Sequence, residues 1–191
     1  AVLGLGAMGS RIAARLLESG RRVVVWNRTA DRTDELTARG AETADTPALT
    51  VDGVDVVVTM LADPDALLAV VLGRDGVADG LRAGQTLVEM STVGPTAVAR
   101  VRDVVPAGVG VVDAPVLGSI GEAERGSLVL FVGAEEEDAA RVQPLLAELG
   151  DAIHVGGPGA GAAAKLVANS TLFGSVSVLG EALALADHLG L

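Results

Sequence analysis

Six apolar runs rich in β-branched residues punctuate this chain: RRVVVWN, VDVVVTML, QTLVEMS, VGVVDAP, SLVLFVG and DAIHVGG. Between them lie stretches of helical spacing, MGSRIAARLLESG, ADRTDELTARG, PDALLAVVL, GPTAVARVRDVV and EEEDAARVQPLLAELG. This alternation limits the fold more than any other feature. Parallel strands need crossover helices, the crossovers are right-handed, and the helices then cover both faces of the sheet. The runs are continuously apolar rather than alternating, as strands buried on both sides are. The expected class is α/β, a doubly wound, mainly parallel sheet over residues 1–157. From about Gly159 the pattern changes: AAAKLVANSTLFGSVSVLGEALALADHLGL reads as one long helix with no following strand, apolar around much of its circumference. Such a helix must pack against something large. Residues 158–191 are therefore read as an interdomain helix leading into an all-α region expected beyond Leu191. The opening AVLGLG, already inside a strand, is read as a clipped start.

Composition removes several function classes. A net charge of −11 argues against a nucleic-acid backbone or an anionic membrane surface as partner, while leaving room for a small anionic ligand in a local positive pocket. With no cysteine there are no disulfides and no thiolate metal sites. No apolar run approaches the roughly 20 residues that span a bilayer, so no membrane partner is expected and a cytoplasmic location is. His154 and His188 have no companion ligands in the sequence, and no metal is expected.

The first chemical motif is GLGAMG, residues Gly4, Leu5, Gly6, Ala7, Met8 and Gly9, spaced G-x-G-x-x-G. Alone this is a weak signal in a chain with 25 glycines. Here it follows a short apolar strand and opens an amphipathic helix, the context its mechanism requires. Gly4 permits the tight turn, Gly6 lets backbone amides approach a pyrophosphate, and Gly9 lets helix and strand pack closely. The helix N-terminus then offers free N–H groups and a favourable dipole to the phosphates. Residues 4–9 are thus assigned to a dinucleotide site on a Rossmann-like domain. The second strand leads into WNRTADR. An acidic residue here usually selects NAD by binding the adenosine ribose hydroxyls. Asn27, Arg28 and Thr29 stand in its place, with Arg32 a helical turn further on. An amide, a guanidinium and a hydroxyl can bind a 2′-phosphate, so NADP(H) is preferred and NAD(H) remains possible. Thr29 can also act as a helix cap.

The chain writes thirteen of its positive side chains as arginine and keeps one lysine, Lys165, within GPGAGAAAKLVANS. A nicotinamide enzyme that reduces a carbonyl needs a proton donor beside the developing alkoxide. Arginine is a poor one, whereas a lysine whose pKa is lowered by burial serves well. Lys165 and Asn169, at i and i+4, leave the same helix face. An isolated lysine is ordinarily a surface residue, but the flanks GAAA and LVA carry no charge to suit a solvated face.

Taken together, GLGAMGSRIAARLLESG, DAPVLGSIGEAERGSL (113–128) and GPGAGAAAKLVANS resemble three motifs of the β-hydroxyacid dehydrogenases, in that family's order and over essentially the whole chain. The resemblance implies that Lys165 is the catalytic acid/base and that Asn169 binds a small-molecule substrate beside it. It implies that Met60 and Leu61 pass under the cofactor and that Thr92 lies near the nicotinamide ribose. It further implies an all-α domain after the long helix that forms a homodimer or higher homo-oligomer. One departure bears on substrate. Where the family's loop reads D-A-P-V-S-G-G, this chain reads DAPVLGS, so Leu117, Gly118 and Ser119 make a more apolar pocket whose backbone amides can still receive a carboxylate. Ser119 can supply a displaced hydroxyl. Asp113 is expected to hold this loop. The imine reductases share the fold and NADPH but generally lack the lysine; C=N reduction and a non-catalytic NADPH-binding module stand as alternatives. Glu135–Asp138 and the pair Asp63 and Asp65 read as helix starts, where acidic residues suit the dipole or cap.

Overall fold

A computed structural model describes all 191 residues. The chain runs through β1 (Val2–Leu3), α1 (Ala7–Glu18), β2 (Val24–Trp26), α2 (Asp34–Ala38), β3 (Glu42–Thr43) and β4 (Val56–Thr59). It continues through α3 (Pro64–Leu72), α4 (Val77–Gly80), β5 (Thr86–Glu89), α5 (Pro95–Val104), β6 (Gly110–Asp113) and β7 (Val116–Leu117). The last elements are α6 (Ile120–Arg125), β8 (Leu128–Gly133), α7 (Glu136–Leu149), β9 (Gly150–Gly156) and α8 (Ala160–His188). Short 3₁₀ turns lie at Ala30–Thr33 and Pro47–Val51.

The sheet order is β3-β2-β1-β4-β5-β6-β8-β7, with β9 on the other side of β8. Strands β1 to β6 are all parallel, which makes the doubly wound order of a dinucleotide-binding domain. The expected class holds. Only β8 departs, running antiparallel to β6 and β7 while pairing parallel with β9.

Why the strands read as continuously apolar is plain from their burial. Neighbouring residues point to opposite faces, and here both faces are core. Val2, Val58, Val88 and Val112 join α1 and α7 on one side. Leu3, Val57, Leu87 and Val111 join α3 and α5 on the other. Each strand is therefore locked in register, since a one-residue slip would exchange its two packing surfaces.

Four elements escaped the sequence patterns: β3, β7, α4 and α6. The two strands are two residues long, too short to carry a period. Helix α6 did carry a signature. Ser119 and Glu122 form a capping box, and Gly126 closes the helix at φ +67°.

α8 differs from the rest. Gly161 and Ala162 are its buried residues, and beyond its first turn apolar side chains such as Val167, Phe173, Val176, Val178 and Leu183 lie exposed. By length and composition it could cross a membrane, with a mean hydropathy of 1.3. This corrects the expectation that no segment reaches that length. The apolar residues are interleaved with Gly, Ser and Thr, so they raise the average without forming an unbroken run.

The glycine loop supports a paired stability prediction. A Cβ on Gly9 would lie 1.9 Å from the Gly4 carbonyl oxygen, whereas one on Gly6 would meet nothing within 4 Å. Gly9→Ala should therefore cost about 1–3 kcal/mol in urea denaturation, by the usual scale of overpacking. Gly6→Ala, at an ordinary φ of −71°, should leave the midpoint close to wild type.

Candidate active site at the carboxyl edge of the sheet

Because β1, β2, β4, β5 and β6 are parallel, the segments that follow them all leave the same edge. Gly4–Gly9 follows β1, Asn27–Thr29 follows β2, Met60–Leu61 follows β4, Thr92 follows β5, and the 113–119 segment continues β6. The chain crosses from one half of the sheet to the other between β1 and β4, and a crevice at such a switch point is where open α/β sheets take ligands.

The glycine loop is shaped for an anion. Gly4 has φ +93°, and a Cβ there would strike the Met60 carbonyl oxygen at 2.3 Å, so turn geometry and the Met60–Leu61 segment both demand glycine. Gly6 caps α1 with no side-chain hydrogen bond and faces open space. The first N–H groups of a helix have no intrahelical acceptor, and no acidic residue in the first turn of α1 competes for them. A pyrophosphate fits this cradle.

Around the ribose position the three predicted residues behave differently. Asn27 is engaged at both ends of its amide: Oδ1 accepts from Leu5 N–H at 2.9 Å, and Nδ2 donates to the Thr29 carbonyl at 2.9 Å. It holds the glycine loop against the end of β2. Arg28 is exposed and makes no hydrogen bond or ion pair. Thr29 takes the cap position of the 3₁₀ turn, but its hydroxyl makes no cap bond. Arg32 donates to the Leu5 carbonyl at 3.3 Å.

At the other end of the crevice, Asp113 does more than steady its own loop. The carboxylate is buried at the end of β6, with Oδ1 accepting from Gly159 N–H and Oδ2 from Ala162 N–H, both at 2.6 Å. It caps the first turn of α8 from another element. Burial pushes the carboxyl above its usual range, while these backbone bonds pull it down. The approach is so close that a Cβ on Gly161 would lie 2.1 Å from the Phe131 carbonyl oxygen. One on Gly133 would lie 2.5 Å from Gly161 N.

Lys165 follows one turn later. It is half-buried, makes no hydrogen bond or ion pair, and burial holds its ammonium below the ordinary lysine range. Asn169, on the same face, is also half-buried and unbonded. The neighbouring Leu166 reaches within 3.8 Å of the position a Cβ would take on Gly94, so α8 touches the segment that carries Thr92, itself exposed.

In the loop after β6, Leu117 is 36% exposed and pairs with Val129 in β8. Gly118 has φ +132°, and its N–H donates to nothing on the chain. Ser119 is tied down: N–H and hydroxyl both donate to Glu122, at 2.9 and 2.7 Å. These bonds draw the Glu122 carboxyl down to about 2. The hydroxyl proton is therefore spent on Glu122, with only the oxygen lone pairs left for other partners. Sequence reasoning also missed Glu89, Thr59 and Ser91, which form a buried polar row beneath the crevice. The signal was available, as a glutamate inside the apolar run TLVEM is an anomaly. No group of three or more His, Asp or Glu side chains is arranged to hold a metal ion.

Residues 1–157 match the family model of the NAD binding domain of 6-phosphogluconate dehydrogenase. The chain belongs to this family, and within it to the β-hydroxyacid dehydrogenases. The glyoxylate/succinic semialdehyde reductase 1 of Arabidopsis thaliana is 34% identical over 99% of this chain and 66% of its own length. The solved Mycobacterium tuberculosis 3-hydroxyisobutyrate dehydrogenase, with L-serine, is 30% identical with a TM-score of 0.91, over 100% of this chain and 65% of that one. A Streptomyces aurantiacus imine reductase is 30% identical with a TM-score of 0.86, over 100% of this chain and 67% of that one. The chain thus spans about two thirds of the length of the relatives it matches.

The clamp on α8 can be tested directly. Asp113→Asn replaces one acceptor with an N–H facing an N–H, which should cost about 1–3 kcal/mol of stability, the scale of a buried unsatisfied group. Urea denaturation measures the cost, and hydrogen exchange at the Ala162 amide should accelerate in the same variant.

Proposed function

We propose that this chain is the nucleotide-binding part of an NADP(H)-dependent oxidoreductase acting on a small β-hydroxyacid or semialdehyde, with Lys165 as general acid/base. The observation that carries the reading is the state of Lys165. The sole lysine is half-buried and unpaired, with its pKa lowered, on a helix anchored at the carboxyl edge of the sheet that also carries the glycine cradle. A group that must give and take a proton at working pH needs those properties.

In this reading Gly4, Leu5, Gly6, Ala7, Met8 and Gly9 hold the pyrophosphate, chiefly through N–H groups at the start of α1. Arg28 and Thr29, whose donors are free, hold a 2′-phosphate, and Asn27 keeps the loop in place for them. Met60, Leu61 and Thr92 flank the nicotinamide end. When bound, the cofactor supplies or takes up the hydride. Gly118 N–H and Asn169 orient the substrate, and Leu117 packs against its apolar part. Lys165 as ammonium donates a proton to the substrate oxygen during reduction; as neutral amine it accepts that proton during oxidation. Residues 158–191 open a helical region, which the exposed apolar side chains of α8 and the greater length of the relatives support. That region is proposed to complete the site and to join copies into a homodimer or higher oligomer in the cytoplasm.

A second reading, reduction of a C=N bond, draws on the likeness to the imine reductase and on the apolar Leu117. Screening the full-length protein with glyoxylate, succinic semialdehyde, methylmalonate semialdehyde and a cyclic imine separates the two. A protein that binds NADPH yet reduces none of these would count against both and leave a binding module.

The assignment sets expected outcomes for the cofactor and for the lysine. NADPH should quench protein fluorescence at lower concentration than NADH, and Arg28→Ala should narrow that difference; tighter NADH binding would overturn the cofactor assignment. Lys165→Ala should lower turnover by about 10²–10⁴-fold with little change in NADPH affinity, the usual contribution of a placed acid/base. Wild-type oxidation should rise with pH through the lowered lysine pKa, and reduction should fall. A Lys165→Arg variant with near-normal turnover would make the lysine a charge anchor and not the proton donor.

A further inference from the structure

Beneath the crevice, the last residues of three neighbouring parallel strands are polar and in register. Thr59 of β4 pairs with Glu89 of β5, and Glu89 pairs with Asp113 of β6. All three are buried. The Thr59 hydroxyl donates to Glu89 Oε2, and Ser91 N–H donates to Glu89 Oε1. The Ser91 hydroxyl, buried in turn, accepts from Leu61 N–H at 2.7 Å. Polar contacts thus run from Leu61 through Ser91 to Glu89, beside the carboxylate that holds α8. Every buried polar side-chain atom in the chain has a partner, so this row is complete as it stands.

A carboxylate of this kind is costly to bury without a task. An apolar residue would suit the strand better, since Leu87 and Val88 before it and Met90 after it are all fully buried. What Glu89 does, and an apolar residue could not, is accept two hydrogen bonds from different elements. One fixes the end of β4, just before Met60 and Leu61. The other fixes Ser91, and through it both Leu61 and the backbone that enters Thr92. We propose that Glu89 is a positioning residue that holds the Met60–Leu61 and Ser91–Thr92 segments at one spacing, so that the nicotinamide end of the bound dinucleotide meets Lys165 at a fixed height. The inference rests on the assignment of those segments to the cofactor site.

The row has a built-in sensitivity to protons. Burial pushes the Glu89 carboxyl up to about 7, against the pull of its Ser91 and Thr59 hydrogen bonds. The charged group acting on it is Asp113 of β6; β4 presents only the Thr59 hydroxyl, and the turn after β5 presents Ser91. Above that pH two carboxylates face each other on adjacent strands, which strains the row. Because the folded value is raised, the native state holds this proton where the unfolded chain has lost it. The stabilising effect is full below about 4.5, the ordinary value, and is lost as pH rises through about 7.

Three proteins test this: wild type, Glu89→Gln and Glu89→Ala. Glutamine can accept from Ser91 N–H and donate to the Thr59 hydroxyl, so it restores the contacts without the charge. Alanine leaves both donors unpaired. In Glu89→Ala, the Leu61 amide of the ligand-free protein should exchange about tenfold faster and NADPH affinity should fall about tenfold, the scale of a buried donor left unsatisfied. Glu89→Gln should retain wild-type protection and affinity at pH 6. From pH 6 to 8, NADPH affinity and thermal midpoint should fall in wild type and stay flat in Glu89→Gln. If Glu89→Ala does not fold, the pH comparison between the other two decides. Flat wild-type profiles overturn the inference, as does a folded Glu89→Ala with unchanged Leu61 exchange. If wild type binds no dinucleotide, the cofactor assignment fails instead, and Leu61 exchange still reports on the brace.

Discussion

The Asp113 carboxylate governs how the two parts of this molecule meet. It is the last residue of β6, and it accepts the N–H groups of Gly159 and Ala162 in the turn that starts α8. A buried anion at a helix N-terminus satisfies orphan donors and favours the dipole at the same time. A helix anchored at one end only, with most of its length exposed, takes its direction from that anchor. Lys165 lies within the next turn, so its position over the sheet edge is inherited from Asp113. Gly133 and Gly161 serve the same contact, because any Cβ at either would meet backbone or carboxylate closer than 3 Å.

The glycine cradle shows the same economy of atoms. Gly4, Gly6 and Gly9 are spaced alike but constrained differently. Gly4 is required by its positive φ and by the Met60 carbonyl, and Gly9 by the Gly4 carbonyl. Gly6 is confined by nothing within the chain. A glycine that the fold does not need, exposed at a helix N-terminus, is where a ligand's own bulk explains the absence of a side chain. The loop is then held from the far side by Asn27, which bonds to Leu5 and Thr29. Arg28 and Thr29 keep their donors for what lies outside.

The loop after β6 joins these two ends. Gly118 adopts a φ that side chains rarely take, and Ser119 is drawn into a capping box with Glu122. Helix α6 and the loop therefore form one unit, and beside it the aliphatic side chain of Leu117 lies exposed.

By itself the sequence determined the fold class, because continuously apolar strands between amphipathic helices admit few arrangements besides a doubly wound sheet. It also carried the shape of the glycine loop, through glycines whose spacing has a steric cause, and it drew attention to Lys165 as the sole lysine. Such features are local or periodic, and a linear pattern carries them. Tertiary structure alone decided that Asp113, read as a support for its own loop, also clamps the start of α8, forty-six residues away. It decided that Ser119 is committed to Glu122, that Asn27 is a brace, and that Thr59, Glu89 and Asp113 lie side by side. Those relations arise from strand order and register, which bring residues of distant sequence to one edge, and no period in the chain records which strand will lie beside which. Very short strands such as β3 and β7 were illegible for the same reason: two residues hold no pattern, and their partners supply the hydrogen bonds that define them.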